Sequence, residues 1–162
     1  MNHSFGLLFG TAVMATTFVA CSDSKGGNSV ADFCTVAKNL VTTQEGLDVM
    51  FENSESPNAS EVEASFRSLI SLVNQLAGAA PTEISDDMVV VVRGFTALDS
   101  AMKRADYDIG VLLSDPTVAA AAGADIAIMN SPETEAALDA VDQYSVAECG
   151  FALDTSGSGI SS

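Results

Sequence analysis

The sequence predicts an all-α protein, an up-and-down four-helix-type bundle with one short extra helix, closed by a disulfide between Cys34 and Cys149. Three observations carry that expectation. Apolar residues recur at three- and four-residue spacing through most of the chain, Pro and Gly punctuate the pattern, and two cysteines bracket the periodic region. With 162 residues and 48% apolar content, the chain has the size of one domain with one core.

The first helix is marked by Phe33, Ala37, Leu40, Val41, Leu47 and Phe51, a stripe with one polar gap at Gln44. Asn53 to Asn58 breaks it. The second stripe runs Val62, Phe66, Leu69, Ile70, Val73, Leu76, with Ser60 and Glu63 spaced as a capping box. Ala79-Ala80-Pro81 interrupts, and Ile84, Met88, Val91, Phe95, Leu98 and Met102 form the third. Met88 to Val92 alone could be a buried strand, but the helical continuation on both sides and the acidic first turn of Glu83, Asp86 and Asp87 favour helix.

Asp106 to Gly110 reads as a connection, and Ser114 or Asp115 before Pro116 as a helix start. The Ala-rich segment Thr117 to Met129, with Gly123 inside it, is expected to be a short, closely packed helix. Ser131-Pro132-Glu133 opens the last helix, which carries Leu138, Val141, Tyr144, Ser145 and Cys149, and Gly150 ends it. In a bundle of four long helices the first start and the last end share one pole, where Cys34 and Cys149 can meet. The Ala-rich helix must then lie to the side. This places the folded domain at residues 30–153, with a Ser/Gly-rich disordered tail at 154–162.

Residues 1–20 are expected to be a secretory signal peptide. Phe5 to Ala20 is apolar and uncharged, every Asp, Glu, Lys and Arg lies beyond Cys21, and the stretch is short for a membrane span. Phe18-Val19-Ala20-Cys21 resembles the lipobox of bacterial lipoproteins, which implies that Cys21 is lipidated, with palmitate-type acyl chains as the anchor, and that residues 21–29 form a flexible tether. The alternative is cleavage after Ala20 that leaves a free thiol, which bulky Phe18 disfavours. Assigning Cys21 to lipid leaves Cys34 and Cys149 as an even pair in an oxidising compartment. A redox pair or a metal site would call for C-x-x-C spacing or His partners, which these two cysteines lack.

Phe33-Cys34, Ala80-Pro81-Thr82-Glu83-Ile84-Ser85-Asp86-Asp87 and Glu148-Cys149-Gly150-Phe151 together resemble small predicted lipoproteins of actinobacteria. The resemblance implies an exported, disulfide-closed helical fold and transfers no catalytic residue.

Charge excludes one class of partner. With 6 Lys and Arg against 22 Asp and Glu, a formal net charge of −16, nucleic acid would be repelled. Candidate chemistry is sparse. The one histidine, His3, lies in the signal segment, so a Ser nucleophile would need Lys25, Lys38 or Lys103 as its base. Ser100 and Lys103 match the bare S-x-x-K spacing without its companion motifs. Asp106-x-Asp108 with Gly110 has the start of a calcium loop, but Gly110 and Thr117 stand where further ligands belong. Asp86-Asp87 and Glu61-x-Glu63 could pair as acid and base, yet acidic residues at helix starts are expected from the dipole, as Lys103-Arg104 are at a helix end. Asn58-Ala59-Ser60 matches a glycosylation sequon.

The expected function is therefore a membrane-anchored extracytoplasmic binding module, not an enzyme and without a cofactor, whose partners are the membrane and an envelope protein. Two alternatives stand beside it. One is a carrier of a divalent cation or of a small apolar ligand held between Ala119 to Ala124 and the third helix. The other is an atypical enzyme using carboxylates alone.

Overall fold

A computed structural model describes residues 29–52 and 58–153. The signal segment, Cys21, Lys25, the tether before Ser29, the break at 53–57 and the tail from 154 lie outside the described residues, as does the Phe51 side chain.

Helix α1, Val30–Glu52, begins at Ser29, whose hydroxyl accepts the Asp32 N–H at 3.1 Å and donates to the Asp32 carboxylate at 2.6 Å. Ser29, expected at the end of the tether, thus caps the domain. Phe33, Ala37, Leu40 and Leu47 are buried, and Gln44 stands in line with them, as the gap in the stripe foretold.

Helix α2, Ala59–Ala79, corrects the expected capping box. Asn58, two residues before Ser60, is the cap; its Oδ1 accepts the Ser60 N–H at 2.9 Å and the Ser60 hydroxyl at 2.7 Å. Ser60 already lies inside the first turn, so Glu63 turns forward and pairs with Arg67 at 2.6 Å. Val62, Phe66, Leu69, Val73 and Leu76 face the core.

After Pro81 and a 3₁₀ turn, Thr82–Ile84, comes α3, Ser85–Arg104. Met88 and Val91 are buried while Val89 between them is 68% exposed, which is helical spacing and settles the strand-or-helix ambiguity. A second buried face of Gly94, Ala97 and Ala101 was not part of the expected stripe.

The expected connection at 106–110 is more structured than the sequence suggests. The Tyr107 N–H donates to the Met102 carbonyl at 2.9 Å and the Asp106 N–H to the Lys103 carbonyl at 3.2 Å, a Schellman closure with Asp106 (φ 50°) at the position that favours glycine. Helix α4, Ile109–Ser114, follows, with Asp108 Oδ1 accepting the Val111 N–H at 3.1 Å. The bundle therefore carries two short extra helices, not one: α4 and the Ala-rich α5, Pro116–Met129, which Asp115 caps. Helix α6, Pro132–Cys149, starts on Ser131 and ends at Gly150 (φ 80°).

Helices α1, α2, α3 and α6 form the bundle. Phe33, Leu76, Met88 and Val141 share one core cluster, and Val62, Phe66, Met102 and Tyr107 share another. Because α1, α2 and α3 each run between the two clusters, successive helices alternate in direction. The Cys34–Cys149 disulfide closes the first pole, with the Cα atoms 5.4 Å apart across 115 residues of sequence.

Helix α5 lies outside the ring against α3. From Asp125, which meets Arg104 at 3.0 Å, the chain passes down α3 to Gly94, beside Met129 and Thr134. A Cβ at Gly94 would stand 2.7 Å from Thr134 Cγ2, so glycine sets this approach.

Candidate functional site

The small residues of α5 pack closely, as expected of that helix, and none of Ala119 to Ala124, where the carrier alternative placed its ligand, lines the cavity described below. Ala122 is fully buried in the helix–helix contact, while Gly123 is exposed and a Cβ added there would meet no atom within 4 Å. Small side chains here let two helices approach closely. The cavity lies instead inside the bundle, among α1, α2, α3 and α6, with Met129 at the end of α5 on its border.

Its volume is about 330 Å³. Leu40, Leu76, Met88, Val91 and Val141 supply most of the apolar wall because each falls on the inward stripe of its own helix. Three polar side chains border it: Gln44 on α1, and Asp139 and Asp142 on α6. Gln44 Oε1 is buried and accepts no hydrogen bond. The Asp142 carboxylate receives the Leu153 N–H at 2.6 Å, which holds the Leu153 side chain against the cavity as a buried wall.

The lining consists of Leu, Val, Met, Phe, Gln and Asp, so it offers apolar surface, one unpaired acceptor and two carboxylates, and contains no Ser, Cys, His, Lys or Arg.

The carboxylates singled out in the sequence are placed elsewhere. Asp86 is exposed and Asp87 half-buried on the first turn of α3, and Glu61 is exposed on the first turn of α2. Asp108 caps α4, and Asp106 sits in the left-handed turn. Ser100 and Lys103 face different partners: the hydroxyl donates to the Thr96 carbonyl at 3.0 Å and the ammonium to Asp99 at 2.6 Å. Lys38 is exposed on α1. Among the described residues, no three His, Cys, Asp or Glu gather closely enough to hold a metal ion.

Two tyrosines are perturbed by the packing. Tyr107 is 5% exposed and its hydroxyl donates to Asp99 at 2.8 Å; burial, then that bond and the Asp99 charge, push its pKa up to about 12. Burial also raises Tyr144, with Glu148 and Glu83 adding to the effect, where its ring meets Phe33 edge to face at 5.4 Å. Tyr107 lies in the turn after α3 and Tyr144 on α6, and neither belongs to the cavity lining.

Sequence reasoning missed the cavity's polar border. The one signal was the polar gap at Gln44; Asp139 and Asp142, three apart on one helix, carry no sequence signal that separates them from the chain's other acids. No described helix is long and apolar enough to cross a membrane. No family model matches this chain, and no curated protein or solved structure is significantly similar to it.

Proposed function

We propose that the protein is a lipid-anchored, extracytoplasmic binding domain that acts without catalysis. The observation that carries this reading is the Cys34–Cys149 disulfide, which ties the first helix of the bundle to its last. Such bonds persist in oxidising compartments and are reduced in the cytosol, so the bond supports export. Once Cys34 and Cys149 are paired, Cys21 remains at the end of an uncharged, apolar segment as the residue to be acylated.

The domain's charge fits that setting. At a net −16 it is repelled by anionic lipid heads, so a Gly/Ser-rich tether would hold it off the surface and leave it open to an envelope protein partner. The resemblance to actinobacterial lipoproteins points to the same compartment.

Mass spectrometry of the protein recovered from native membranes tests the proposal. A diacylglyceryl group on an N-terminal Cys21 is the expected result, and Cys21→Ser should move the protein out of the membrane fraction. An unmodified Cys21, or free thiols at Cys34 and Cys149 in freshly isolated protein, would overturn it.

A further inference from the structure

We propose that the cavity beside Gln44 binds a small, neutral, largely apolar molecule of about two fused rings, which donates one hydrogen bond to Gln44 Oε1. The inference deepens the binding-domain reading and does not depend on the lipid anchor.

Volume sets the size. An apolar cavity of about 150 Å³ accepts one benzene ring, so a cavity of about 330 Å³ is large enough for a second. Leu40, Leu76, Met88 and Val91 make the contact surface apolar, so most of the affinity must come from an apolar body.

The orphan amide sets the polar group. A buried acceptor without a donor is destabilising, and a ligand O–H or N–H removes that cost. A ligand that can only accept leaves Gln44 Oε1 unpaired.

The carboxylates set the charge. Asp139 and Asp142 on the cavity border repel an anion, so a carboxylic acid of the same shape is rejected. A cation would be drawn to them, yet burying it against the apolar wall strips its hydration and leaves only an amide in exchange. A neutral donor satisfies all three constraints.

Three probes sharing one ring system separate these terms: 2-naphthol donates and accepts, 2-methoxynaphthalene only accepts, and 2-naphthoate is an anion. Each is titrated into the full chain carrying Cys21→Ser, with the disulfide intact, and binding is followed by ligand fluorescence and by chemical-shift changes of the Met88 and Met129 methyl groups. The expected result is saturable binding of 2-naphthol, roughly tenfold or more tighter than 2-methoxynaphthalene, with 2-naphthoate weakest.

In Gln44→Leu, which keeps the bulk and removes the acceptor, the advantage of 2-naphthol over 2-methoxynaphthalene should disappear while apolar binding remains. Its unchanged helical circular dichroism would establish that the variant folds. No saturation by 2-naphthol up to its solubility limit, equal or tighter binding of 2-methoxynaphthalene or 2-naphthoate, or a preference that survives Gln44→Leu would each overturn the proposal. None of these results bears on acylation of Cys21, so the anchor and the cavity stand or fall separately.

Discussion

At one pole of the bundle Phe33, Leu76, Met88 and Val141 pack beneath a covalent tie; at the other, Val62, Phe66, Met102 and Tyr107 pack beneath a hydrogen-bonded turn. The tied pole belongs to the core that holds the cavity and the unpaired Gln44 oxygen. The turned pole places the Tyr107 ring 6.1 Å from Phe66 and gives its hydroxyl to Asp99. A cross-link stabilises chiefly by restricting the unfolded chain, so it tolerates an imperfectly filled core. A turn with left-handed residues at Asp106 and Tyr107 has no such reserve. It persists because the surrounding contacts over-determine it.

Removing the tie is the most severe way to test that contrast. Replacing both cysteines, Cys34→Ala with Cys149→Ala, frees a loop closure of 115 residues and should cost about 4–5 kcal/mol, read as a lower urea midpoint. A loss below about 1 kcal/mol would show that packing alone holds the tied pole.

The turned pole should respond to alkali. An unfolded Tyr titrates near 10, whereas folded Tyr107 stays protonated to about 12, beside Asp99 and Glu63 and in spite of Arg67. Between those values the folded state binds more protons than the unfolded one, so its stability falls as pH rises. The contribution, on the order of 1–3 kcal/mol, is complete below about pH 10 and lost through about pH 12. Tyr107→Phe should flatten that part of the stability–pH curve; an unchanged slope would place the alkaline sensitivity elsewhere.

Between the poles, Gly94 tests the close approach of α3 to the start of α6. Gly94→Ala gains helix propensity but drives a Cβ into Thr134, for a net loss of about 1–2 kcal/mol by urea unfolding. Gly123→Ala, which meets no neighbour, should instead gain up to about 1 kcal/mol. The mildest change is Asp106→Gly, which relieves a left-handed residue but adds unfolded-chain freedom, and should stabilise by about 0.5 kcal/mol in the same measurement.

The helix stripes were legible because each helix buries a contiguous line of its own side chains, as Val62, Phe66, Leu69, Val73 and Leu76 do. Caps were less so: Asn58 and Ser60 are both good caps, and which one wins depends on where the chain enters the helix. The second face of α3 was hidden because Gly94, Ala97 and Ala101 carry little hydrophobic signal, and their burial depends on α5 and Thr134 arriving from elsewhere in the chain. The short helix α4 was hidden by its length, which is too brief for a period to show.

By itself, the sequence determined the all-α class, the main helices, the Cys34–Cys149 pairing and the strongly acidic character, since each follows from local periodicity, residue counts or chain topology. Only the tertiary structure decided where the cavity falls and that the Gln44 Oε1 on its border is buried without a donor. Those properties belong to the space left among helices distant in sequence, and no single stretch of residues encodes the shape of a void.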